Sequence, residues 1–219
     1  MKPIWKFRFL ALLVVVFVGG LSITSLVAEF LRPAASQLPS RDSKAPSSQL
    51  VSSAALASTI APLRTDLRAD YAIALAGQTL RSDGQATDNE TAQNAVKSAL
   101  RFGPHDSRMW LVLALLQGQK NLGDSLVTES LKMSYLTGPN RAELIPTRLD
   151  SVTVNNSLND ADLNELASSD VRAILTQYPD QRQALIKDYL RGSAVGKKFL
   201  EASARTLDPA FADSLRTAK

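Results

Sequence analysis

The chain has 219 residues, a formal net charge of +4 and no cysteine. Without cysteine there is no disulfide, thiolate metal site or cysteine nucleophile. The excess charge lies in residues 1–62, where Lys2, Lys6, Arg8, Arg32, Arg41 and Lys44 face only Glu29 and Asp42. Residues 63–219 carry 19 basic and 19 acidic side chains. A neutral body has no basic face of the kind nucleic acid requires, so no nucleic-acid partner is expected.

Residues 9–28 form an uncharged run in which 13 of the side chains are Phe, Leu, Ile or Val. Such a run is about 30 Å long as a helix, the thickness of a bilayer's hydrocarbon core. Each of these side chains favours insertion by roughly 0.3–0.6 kcal/mol near the helix centre. Residues 1–8 are basic, and basic flanks stay in the cytoplasm. The expectation is a single-pass inner-membrane protein with a cytoplasmic N-terminus and a periplasmic C-terminal domain. A cleaved secretory signal is the alternative. Its apolar region is shorter, however, and Leu26-Val27-Ala28 places Leu where the cleavage site wants a small residue.

Residues 29–58 are expected to be a tether. Ser, Pro, Ala and Gln dominate the stretch, and Pro33, Pro39 and Pro46 oppose a regular helix. Residues 59–219 form the expected domain, in which apolar residues recur at helical spacing. Helices are predicted near 59–81, 89–102, 107–120, 124–136, 141–155, 160–177, 180–191, 194–206 and 209–216. Turns are marked by Ser82-Asp83-Gly84, Gly103-Pro104, Gly123-Asp124, Gly138-Pro139 and Tyr178-Pro179-Asp180. Asn140 and Glu143 have the spacing of a capping box, and Pro146 should kink the following helix or mark its first turn.

Pro104, Pro139, Pro179 and Pro209 punctuate a repeat. Six residues after them come Trp110, Ile145, Leu185 and Leu215. Eight before come Val96, Leu131, Val171 and Glu201, and five before come Ala99, Ser134, Ile174 and Ala204. Together with Ala92, Leu113 and Ala114, this pattern resembles the tetratricopeptide repeat family, whose unit is a helix-turn-helix of about 34 residues. Gln117 stands where that family has an aromatic. The resemblance implies an all-α, antiparallel helix-hairpin solenoid whose first helices line a concave face; an irregular helical bundle is the alternative. The whole arrangement of anchor, tether and helical domain resembles bacterial envelope scaffold proteins. The stretch Met133–Asn140 is similar to helical-repeat proteins associated with surface-polysaccharide synthesis or export.

Candidates for chemistry are few. His105 is the sole histidine and lies in a turn, and without cysteine it cannot build a usual zinc site. The acids of Asn159–Glu165 lack the turn glycine of a calcium loop and read as a helix N-terminus. No metal, cofactor or catalytic residue is therefore expected. Trp110 is expected in the core. The expected function is a non-catalytic interaction module that binds a protein or peptide partner in the cell envelope. Arg108, Gln117, Arg141 and Arg148 are the candidate partner-binding residues, taken as exposed; arginine suits paired contacts to carboxylates. The alternative is an envelope enzyme or lytic factor that cleaves glycan through paired carboxylates, which requires two acids converging in a cleft.

Overall fold

The computed structural model describes residues 3–32, 38–39, 45–81, 86–120 and 125–217. The expected turns at 82–84 and 123–124, and the charged residues Lys2, Arg41, Asp42 and Lys44, lie outside them. The described residues form eleven α-helices and three short 3-10 turns, with no strand among them.

Helix α1 runs Pro3–Leu31, and its stretch Phe7–Leu31 is long and apolar enough to cross a membrane. Most of the large apolar side chains of this stretch stand exposed. Its C-terminal end meets later parts of the chain. Ala28 is buried with Ala57, Ala61 and Leu67. Arg32 donates through Nε to Asp70 at 2.7 Å, and Arg64 Nη1 lies 2.7 Å from the Glu29 carboxylate.

Much of the expected tether is helical. Helix α2 spans Ser48–Ile60, with the Ser47 hydroxyl accepting from the Leu50 amide at its start. Pro46 lies just outside this cap, where it costs no helical hydrogen bond. Past it the sequence, mostly Ser, Ala and Leu, holds no Gly or Pro up to Ile60, and Ala54 and Ala57 are buried. The helix expected over 59–81 is broken around Pro62, so α2 ends at Ile60 and α3 begins at Thr65.

Helices α3 (Thr65–Thr79), α4 (Ala86–Phe102), α5 (Ser107–Lys120) and α6 (Ser125–Thr137) pack each on the next, and α3 also meets α5. Alanines make the close approaches: Ala69, Ala72 and Ala76 of α3 share a core with Ala92, Val96 and Ala99 of α4. Helix α5 serves two cores. Met109, Val112, Leu113 and Leu116 enter this first core, whereas Leu111 and Ala114 enter the second. Apolar residues therefore surround α5, as expected of a helix buried on opposite sides. Trp110 is half-buried against the first core, and its indole nitrogen donates to the Pro104 carbonyl at 2.8 Å.

The second core lies among α6, α7 (Ile145–Val154), α8 (Ala161–Thr176), α9 (Arg182–Arg191), α10 (Ala194–Arg205) and α11 (Pro209–Thr217). Helix α7 is its centre and touches α8, α9 and α10. Pro146 falls in the first turn of α7. The capping box on Asn140 and Glu143 does not form. A 3-10 turn, Ala142–Leu144, precedes α7, its cap position is Arg141, and Arg141 pairs with Glu143 instead.

Two details lock α10 onto α7. The Ser193 hydroxyl donates to the Thr153 carbonyl at 2.9 Å and accepts from the Gly196 amide at 3.1 Å. Gly196 itself presses against the Thr153 backbone so closely that a Cβ would overlap its carbonyl oxygen. The acidic stretch before α8 acts as a helix start: Asp160 caps α8 through the Leu163 amide at 3.0 Å, and Lys132 bridges Asp160 and Asp162.

Candidate functional site: a pocket shared by alternate helices

Helices α5, α7 and α9, together with the end of α3, enclose a pocket of about 440 Å³. Each helix presents one face to it. Helix α5 contributes Ala114, Leu115, Gly118 and Gln119; α7 contributes Pro146, Thr147, Asp150 and Ser151; α9 contributes Gln183, Ala184, Lys187, Asp188 and Arg191. Within each set the residues recur at one and four positions apart, the spacing that keeps side chains on one helix face. Leu80 and Arg81 close the α3 side, and Asn155 stands at the end of α7.

The floor is apolar and small-chained, and Gly118 keeps it deep. A Cβ there would meet nothing nearer than the Asn155 amide at 3.8 Å. Polar groups surround this floor. Gln119 accepts from the Asn89 amide of α4 at 2.7 Å, which fixes it in place. Asp150 and Asp188 are buried carboxylates on neighbouring helices, and Arg191 lies 3.7 Å from Asp150. Lys187 and Arg81 add cationic heads. An apolar floor with a few convergent polar groups is the usual make-up of a binding site.

None of the four residues singled out from sequence lines this pocket. Arg108 is half-buried at the start of α5, where its guanidinium forks onto Asp106 at 2.9 and 3.2 Å. Asp106 also raises the pKa of Arg108. Arg141 is exposed and bound to Glu143 at 2.8 Å. The other two are not exposed, contrary to expectation. Gln117 is buried and accepts from the Ser130 hydroxyl of α6 at 2.8 Å. Its side chain points between α5 and α6 because it sits three and four residues from Ala114 and Leu113, on the core side.

Arg148 has no exposed surface at all. Its Nε donates to the Ser134 hydroxyl at 3.0 Å, and its Nη2 donates to the Ser134 and Gly138 carbonyls. It thereby satisfies the last carbonyls of α6 from within α7, a structural task. Tyr135 and Asp170 complete this buried group. Burial pushes the Asp170 carboxyl up to about 7, against the opposing pull of the Arg148 charge and the Tyr135 hydroxyl. Burial likewise raises the Tyr135 hydroxyl and lowers Arg148.

His105 is exposed in the turn before α5. Among the described residues, no group of three or more His, Asp or Glu side chains is arranged to hold a metal ion. No protein-family model matches the chain, and no curated protein or solved structure is significantly similar to it.

Proposed function

We propose that this protein is a membrane-anchored interaction module of the cell envelope, with α1 as its single transmembrane span and the pocket as the seat of a protein or peptide partner that it does not chemically change. The observation that carries this reading is the lining of one pocket by alternate helices. In a solenoid of stacked hairpins, first helices line the concave surface that binds partners. With α3/α4, α5/α6, α7/α8 and α9/α10 as the hairpins, the pocket is lined by the first helix of the last three and by Leu80 and Arg81, which follow the first helix of the first. This pairing supports the tetratricopeptide-like reading of the proline-spaced pattern. The basic N-terminal flank supports a cytoplasmic start and a periplasmic helical domain in the inner membrane. A link to surface-polysaccharide synthesis or export rests on the Met133–Asn140 resemblance alone.

The test is photo-crosslinking in living cells. A crosslinker at Gln183 or Leu115, inside the pocket, should trap a discrete envelope partner. The same group at Glu129, exposed on α6, should not. Equal yields at all sites, or none, would sink the reading. A reporter fused after Lys219 should be active outside the cytoplasm and remain with the membrane pellet; activity inside would refute the topology.

One observation favours a second reading. Asp150 and Asp188 are two buried acids lining a single cleft, which is the requirement for glycan cleavage by paired carboxylates. Hydrolysis of an envelope glycan by the purified protein, abolished by both Asp150→Asn and Asp188→Asn, would establish this reading in place of the first.

A further inference from the structure

Two residues that follow the anchor in sequence, Leu38 and Pro39, lie at the pocket. Pro39 is buried and forms part of the pocket's wall, although it belongs to no helix. Leu38 packs against both hydrophobic cores, so it sits on the seam between the α3–α5 half and the α6–α11 half. Further along, Pro46 lies on α3. A Cβ built on Gly77 would come within 3.3 Å of the Pro46 ring and 3.8 Å of the Pro39 ring. Gly77 stands three and four residues before Leu80 and Arg81, hence on the α3 face that meets the pocket. The small residue gives two prolines room on one helix.

We infer that Leu38–Pro39 is an intramolecular ligand of the groove, and that the partner competing for this seat is a peptide with the same Leu-Pro chemistry. The inference rests on the proposed reading of the pocket as a partner site. Three observations converge on the chemistry: an apolar side chain is accepted at the seam, a proline ring is accepted at the pocket wall, and a second ring is accepted over Gly77. Proline-bearing segments lose little conformational freedom on docking and are suited to such grooves. The occupant is also joined covalently to the membrane span, seven residues on from Leu31 in sequence. It therefore competes at the high effective concentration of a short link, of millimolar order. A peptide arriving from outside must displace it.

The probe is a fluorescent peptide with the sequence of residues 36–47, added to the full chain in detergent micelles and followed by anisotropy. Wild type should bind it weakly. Leu38→Asp combined with Pro39→Gly should empty the seat and tighten binding by about tenfold or more, given the competitor's millimolar-order effective concentration. The peptide carrying the same two changes should not bind. Equal affinity of wild type and the folded double variant, or no binding to the variant, would overturn the inference. A second variant combines Pro39→Cys with Gly77→Cys in a chain that has no other cysteine. Oxidation should lock the segment in place and weaken peptide binding, and reduction should restore it; a disulfide that forms without changing binding also overturns the inference. Groove crosslinks to an envelope partner would persist if only this inference failed. Peptide binding without any such partner would leave this inference standing and remove the proposed function.

Discussion

The guanidinium carbon of Arg148 sits 4.5 Å from the centre of the Tyr135 ring, in a place with no solvent access. A buried cation is tolerated only when its donors and charge are answered. Here the ring faces the charge and the Ser134 and Gly138 groups ending α6 answer Nε and Nη2, while Nη1 makes no hydrogen bond. Removing the side chain strands those acceptors. Arg148→Met, which nearly preserves volume, should lower the unfolding free energy by about 3 kcal/mol. Arg148→Glu should prevent folding outright. Thermal melts followed by circular dichroism decide this; an unchanged midpoint for Arg148→Met would show that the contacts contribute little.

Asp170 makes stability depend on pH. Its folded value, about 7, lies above that of an unfolded aspartate. The folded protein therefore holds the extra proton between about pH 4 and pH 7. The stability contributed by this group is greatest below that window and is lost as pH rises through about 7. Unfolding free energies from denaturant titrations should fall from pH 5 to pH 8, by a few kcal/mol at most, since a tenfold change in proton affinity corresponds to about 1.4 kcal/mol. Asp170→Asn should flatten this slope. A wild-type slope of opposite sign, or one that persists in the variant, would refute the assignment.

Close contact between α7 and α10 makes a third expectation local and sharp. Gly196→Ala places a methyl group into the Thr153 carbonyl, a backbone atom that cannot swing aside. Overpacking of this kind costs roughly 1–3 kcal/mol. Gly103→Ala is the control, because a Cβ there meets only the Ala99 carbonyl oxygen at 3.8 Å. Paired melts of the two variants should differ in midpoint. Equal midpoints would mean that α10 shifts freely on α7.

Most helices are legible in the sequence because their boundaries are written in local chemistry. Pro104, Pro139, Pro179 and Pro209 stand at or near helix starts, and Asp160 and Ser193 cap as their side chains allow. Helix α2 is hidden because its sequence, serines and alanines between prolines, is also that of a linker; burial of Ala54 and Ala57 against neighbours decides between them. The pocket is hidden for a different reason. Helices α5 and α7 are buried on more than one side, so periodicity does not single out the face that lines a cleft. Gln117 and Gln119 differ by two positions, and only tertiary packing sends one between helices and the other to the pocket. Arg148 reads as a surface cation because nothing in its sequence neighbours announces the carbonyls of α6 that it satisfies. A signal is present in α7 nonetheless: Thr147, Asp150 and Ser151 lie on one face of a helix whose Leu149 and Val152 are core residues.

Gly118 offers the means to separate binding from folding. It lies in the interior of α5, where glycine costs about 1 kcal/mol relative to a good helix former. It also faces open pocket space, since a Cβ at this position would meet only the Asn155 amide, at 3.8 Å. Gly118→Leu should therefore leave the thermal midpoint unchanged or raise it, while its side chain fills the floor between Leu115 and Asn155. Crosslinking from Gln183 to a partner should then be lost. Gly118→Ala is the graded control, which gains helix propensity but occupies far less of the cavity and should retain most of the crosslink. If Gly118→Leu is as stable as wild type and still crosslinks with full yield, the pocket is not where the partner sits. If it loses the crosslink only by unfolding, the melt will report that directly, and the alanine variant then carries the comparison.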